Sequence, residues 1–174
     1  MRMRSRHAVF LAIVMVASLA GAVPTGDSIP VEESVNRIGE FFLSDNNLAL
    51  EGYDPLTYFS GDPRVGDASI TATYKGIQYR FRSQENRHAF LANPSKYEPQ
   101  YGGWCAWAMY KDGSKVEPDP ESYLILDDKL YLFYDGLFSD TRKKWRKEAV
   151  ETGNEQEMIA TADENWRRIL DEGK

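Results

Sequence analysis

The chain has 174 residues, 42% hydrophobic, 13% aromatic and 28% charged, with a formal net charge of −6 and one cysteine. This suits one folded domain with a real core and excludes a disulfide-stapled scaffold, since a lone thiol cannot pair within the chain. The acid excess argues against nucleic acid as a partner, because phosphate binding rests on Lys and Arg.

Arg2, Arg4 and Arg6 precede an uncharged apolar run from Ala8 to Ala20, followed by Gly21-Ala22. A basic start, an apolar stretch and small residues predict a secretory signal peptide over 1–22. The expected product begins near Val23 and is exported, periplasmic or secreted. Retention of the segment as an anchor is the alternative, although the run is shorter than the roughly 20 apolar residues of a membrane span. No later stretch reads as a span. Loss of three arginines and no acids takes the charge from −6 to −9 and leaves His88 as the only histidine.

Residues 23–30 read as a linker, and Val31, Val35, Ile38, Phe41 and Phe42 are spaced for a helix over 31–43. Linker and helix together make an N-terminal segment over 23–47. Gly52-Tyr53-Asp54-Pro55 is a turn sequence in which Asp54 can cap the segment after it. Runs 70–74 and 77–81 predict a hairpin about Lys75-Gly76. Ser83 can cap a helix over 84–91 that carries His88 and Phe90, and Asn93-Pro94 ends it. Residues 95–99 read as a short helical turn. Residues 104–110 are uniformly apolar and suit a buried helix or a buried strand; we take the helix.

Runs 123–126 and 130–134 predict a second hairpin around Asp127-Asp128-Lys129. Helices over 141–151 and 155–170 close the chain, the last with Met158, Ile159, Ala162, Trp166, Ile169 and Leu170 on one face. Trp145 and Trp166 would anchor these helices. The basic run Arg142-Lys143-Lys144-Trp145-Arg146-Lys147 reads as a solvated helix face. No internal repeat is visible. The expectation is a single small α+β domain of antiparallel β-hairpins and short helices, with a core over 48–136 and C-terminal helices over 137–174 packed on it.

The densest chemical signal is Tyr101-Gly102-Gly103-Trp104-Cys105-Ala106-Trp107-Ala108. A Gly-Gly step permits a tight turn or a close backbone approach. If it opens a helix, Cys105 falls in the first turn, where free N–H groups favour an anion. Three roles stand open for Cys105. A reactive thiol in redox or nucleophilic chemistry needs positive charge nearby, from that helix end, His88, Arg82 or Arg87, and a partner thiol from another molecule.

Binding without catalysis is the second role. One Cys and one mature His are too few for a structural zinc site, whereas Cu(I) can take Cys105, Met109 and His88. A small ligand would instead occupy a pocket walled by Tyr101, Gly102, Gly103, Trp104 and Trp107, with Tyr53 and Asp54 as further candidates. In the third role Cys105 is inert in a tryptophan-rich core, and the domain is a structural or interaction module. No calcium loop, phosphate loop, dinucleotide fingerprint, zinc-protease helix or nucleophile elbow is present.

Several motifs stand in a fixed order: Gly52-Tyr53-Asp54-Pro55 with Tyr58-Phe59, Tyr74-Lys75-Gly76, Tyr79-Arg80-Phe81-Arg82-Ser83, Asn93-Pro94 with Tyr97, and Tyr101-Gly102-Gly103-Trp104-Cys105-Ala106. On these the chain resembles the YHS-domain family over about 48–134, and more closely its exported bacterial members. The resemblance implies an association with metal handling. Selenocysteine replaces Cys105 in some of those relatives, which implies redox or soft-ligand chemistry there. The family's other cysteines fall here on Arg82 and on Asn86 or Arg87, and its naming histidine on Arg80, so the chain departs from the pattern at those ligands. The resulting expectation is an exported protein built around a redox-active Cys105. Copper or small-ligand binding, or an interaction module, are the alternatives, and the partner is an unidentified protein or small molecule.

Overall fold

The computed structural model describes residues 37–172. The expected signal peptide, the linker and the first part of the expected 31–43 helix lie outside them. Residues 37–40 are helical and Leu43–Ser44 is already a strand, β1, so that helix ends earlier than its spacing implied. Phe41 and Phe42 leave it to pack on Trp166 and Trp104, with ring centroids 6.3 and 5.1 Å apart.

In order follow β2 (Leu48–Ala49), α1 (Pro55–Phe59), β3 (Asp67–Tyr74), β4 (Ile77–Phe81), α2 (Gln84–Ala92), α3 (Pro94–Tyr97) and α4 (Ala106–Asp112). The chain continues through β5 (Asp119–Leu126), β6 (Lys129–Phe133), β7 (Asp135–Gly136), β8 (Ser139–Asp140), α5 (Thr141–Thr152) and α6 (Glu155–Glu172). Strands β1-β2-β4-β3 form one sheet, while β5-β6 and β7-β8 form two separate ribbons. The fold is α+β, as expected. The first sheet is not wholly antiparallel, since Leu48 pairs with Gln78 in parallel.

Both long hairpins turn on two left-handed residues, Lys75-Gly76 (φ 47° and 83°) and Asp127-Asp128 (φ 48° and 58°). That turn geometry matches the natural twist of the flanking strands. Glycine adopts it freely and aspartate tolerates it. The β5–β6 ribbon is apolar on both faces. Leu130 and Leu132 join a first cluster with Ile77, Tyr79, Phe81, Phe90 and Tyr58. Tyr131, Phe133 and Leu124 join a second cluster with Met109, Trp145, Met158, Ile159 and Ala162. Strand side chains alternate between faces, so one ribbon serves both clusters.

The backbone contains a repeat that the sequence does not display. Leu50, Glu51 and Gly52 are left-handed (φ 56°, 50°, 86°), and so are Tyr101, Gly102 and Gly103 (φ 55°, 60°, 90°). Each run is closed by the next residue's N–H, Tyr53 onto Leu50 C=O at 2.9 Å and Trp104 onto Tyr101 C=O at 3.1 Å. A short helix then starts, preceded by Asp54 in the first case, whose side chain caps it, and by Cys105 in the second, whose side chain makes no capping bond. Hairpins with strands of eight and five residues come next, with the same irregularity: Asp67 pairs with Phe81 and then Thr71 with Arg80, just as Asp119 pairs with Phe133 and then Tyr123 with Leu132. Even the parallel pairing recurs, Leu48 with Gln78 and Pro99 with Leu130. Residues 48–92 and 99–152 therefore follow one supersecondary plan twice. Side-chain identity between the hairpins is limited to Asp67/Asp119, Tyr79/Tyr131 and Phe81/Phe133, which is why no repeat is visible by letters.

Candidate functional site

Gly102-Gly103 does not open a helix. It belongs to the 3-10 turn Gln100–Gly103, and α4 begins only at Ala106, directly after Cys105. Gly102 is required there by its φ of 60° and by space, because a Cβ would lie 3.1 Å from Phe41 Cα. The close approach lets the Phe42 N–H donate to Gly102 C=O at 2.9 Å. The Gly-Gly step thus joins the N-terminal segment to the turn before Cys105.

Cys105 is fully buried, at 0% exposure. Its Sγ accepts from the Tyr134 N–H at 3.3 Å and lies 3.4 Å from Thr141 Oγ1. Thr141 Oγ1 donates to Tyr134 C=O at 2.8 Å, which commits the hydroxyl proton. The Cys105 S–H is therefore the donor to Thr141. Both partners are neutral. Neither Tyr134 nor Thr141 is a candidate from sequence, and only the structure, in which they flank the β7–β8 hairpin, brings them to Cys105.

Asp54 occupies the same place in the first unit. It is fully buried, and its carboxylate accepts from Leu56 N–H at 2.9 Å, Arg82 N–H at 2.7 Å and Asn86 Nδ2 at 2.7 Å. Arg82 follows Phe81 as Tyr134 follows Phe133, and Asn86 and Thr141 both lie in the first turn of the next helix. The backbone N–H groups correspond too, Asp54 onto Arg64 C=O at 2.8 Å and Cys105 onto Val116 C=O at 2.9 Å. In both units the buried side chain at this position ties a strand end to the helix beyond it, and Asp54 also caps the helix that it precedes.

The other expected site residues are spread apart. Met109 is buried one helical turn after Cys105, its N–H on Cys105 C=O at 3.0 Å. His88 is exposed on α2, a helix packed on β3, β4, α1 and α3. Among the described residues, no three His, Cys, Asp or Glu side chains come together to hold a metal ion. With Sγ already bonded and the imidazole at the surface, Cys105, Met109 and His88 do not fit a copper centre.

The expected aromatic pocket is likewise divided. Tyr101 and Gly102 line a cleft of about 360 Å³ with Phe41, Glu98, Asp163 and Trp166. There the Tyr101 hydroxyl donates to Asp163 at 3.0 Å, and burial, then the Asp163 charge, pushes its pKa far above the ordinary tyrosine value. Trp104 turns away, donating from Nε1 to Glu40 C=O at 2.6 Å. Trp107 lies against Tyr110 with the Lys111 ammonium 4.7 Å from its ring centroid. Gly103 is buried near Pro99. Tyr53 bonds Glu121 at 2.9 Å in the first unit, beside Asp54.

No family profile, curated protein or solved structure matches the chain. What the site can do is thus read from its own geometry.

Proposed function

We propose that this chain is an exported, non-catalytic interaction module in which Cys105 is a structural staple. The observation that carries the reading is the correspondence between Cys105 and Asp54. The two side chains hold the same joint in two copies of one unit, so the sulfur's position follows from the fold and calls for no chemistry. Neutral partners and complete burial agree with that role. The resemblance to exported YHS-domain proteins and the basic-apolar-small pattern of residues 1–22 support export.

A reactive thiol is the second reading, and one observation favours it. Tyr134 C=O also accepts the Thr141 N–H at 3.0 Å, so the hydroxyl can rotate towards a thiolate without leaving that carbonyl unpaired.

Iodoacetamide labelling of the native, reduced protein against pH separates the two. A staple reacts only when the fold opens, so labelling should be slower than in denaturant by roughly a thousandfold or more. Rapid labelling of the folded protein at neutral pH would overturn the staple and establish the reactive thiol.

A further inference from the structure

The second unit contains a segment that the first does without. Between Phe81 and α2 stand only Arg82 and Ser83, whereas between Phe133 and α5 the chain adds the whole β7–β8 hairpin after Tyr134. The first unit makes this joint in two residues, so the hairpin is an addition particular to the second. Its two turn residues are Leu137 and Phe138, 91% and 95% exposed. Neither has a left-handed backbone, so the turn accepts most residue types and nothing in it asks for two large apolar side chains.

The base of the hairpin is cationic. The Lys144 ammonium lies 2.7 Å from Ser139 Oγ, next to Phe138, and the Lys143 ammonium lies 2.9 Å from Asp140. Arg142, Lys143 and Lys144 crowd the first turn of α5, where the helix dipole favours anions, so helix stability does not account for them. Residues 135–147 carry five cations against Asp135 and Asp140, in a chain whose net charge is −6. Lys143, Lys147 and Val150 recur on one helical face, all exposed, Val150 at 83%.

We propose that the β7–β8 hairpin docks the protein on an anionic lipid surface, with Leu137 and Phe138 entering the headgroup–acyl boundary and the α5 cations meeting the headgroups. This rests on the interaction-module reading and names its partner. A convex tip of two side chains offers far less than the roughly 1,000 Å² that a specific protein interface buries. A bilayer has no fixed shape to match, and it rewards this combination of exposed apolar groups and adjacent cations.

Vesicle flotation tests it, using the chain from Val23 to Lys174, which retains every described residue. Vesicles of phosphatidylglycerol mixed with phosphatidylcholine are compared with phosphatidylcholine alone. The protein should float with the anionic vesicles. Its affinity should fall by about tenfold or more in Leu137→Ser/Phe138→Ser, in Lys143→Gln/Lys144→Gln/Lys147→Gln, and at high salt. These side chains are exposed, and unchanged melting confirms that the variants fold. Failure of the unmodified chain to float, or equal flotation of the Leu137→Ser/Phe138→Ser variant, overturns the proposal. Retained Cys105 protection alongside such a failure removes the lipid surface alone and leaves the staple standing. Rapid Cys105 labelling would instead remove the underlying reading.

Discussion

Asp54 illustrates how one side chain can hold three elements. Its two oxygens satisfy the start of α1, the first N–H after β4 and an amide on α2, all out of water. Its capping role is readable from Asp54-Pro55, because a short acceptor before a proline at the first helical position is a local signal. Its bonds to Arg82 and Asn86 are not, since they span 28 and 32 residues. Asp54→Ala should cost about 3 kcal/mol, one cap plus two donors left unpaired. That lowers the melting temperature by roughly 10 °C. Calorimetry showing a change under about 2 °C would contradict the staple.

Helices α4 and α5 are clasped by charge as well as by packing. The Lys111 ammonium lies 2.6 and 2.7 Å from the two Glu148 oxygens, and the Tyr110 hydroxyl donates to the same carboxylate at 2.7 Å. The Lys111 ammonium first, and then the Tyr110 hydroxyl, hold Glu148 below the ordinary glutamate range. A carboxyl depressed in the folded state stabilises fully above its unfolded value and loses that contribution as pH falls through its folded value. Stability should therefore decline in acid from about pH 4.3 downwards, the ordinary glutamate value. In a series of melting curves, Glu148→Gln should be less stable than the unmodified protein at neutral pH and converge with it in acid. Parallel curves would show that the clasp contributes nothing. In the sequence α5 is legible as a helix, whereas the uniformly apolar run at α4 suits a helix or a strand, and the pairing of Lys111 with Glu148 depends on how the helices cross.

The two clusters are not independent, because the β5–β6 ribbon supplies one face to each. All four tryptophans belong to the second cluster, Trp145 within it and Trp104, Trp107 and Trp166 against it. Tryptophan fluorescence thus reports one half of the molecule, while far-UV circular dichroism reports both. A shared ribbon predicts a single cooperative transition, with coincident denaturant midpoints by the two probes. A fluorescence transition displaced from the dichroism transition would mean that the units unfold separately.

Local chemistry carries the parts of this protein that sequence makes legible. Lys75-Gly76 and Asp127-Asp128 mark the hairpins through left-handed turns, and Ser83 marks the start of α2 by its bond from the Asn86 N–H. The spacing of Met158, Ile159 and Ala162 marks the buried face of α6. Each of these signals lies within a few residues of what it specifies. Tertiary contacts set the rest: the parallel joint of Leu48 with Gln78, the approach of Phe41 to Gly102, and the correspondence of Cys105 with Asp54. The last rests on backbone positions 29 residues from Cys105 and 28 from Asp54. A cysteine and an aspartate share no side-chain group, so only the path of the chain shows that they make the same tie.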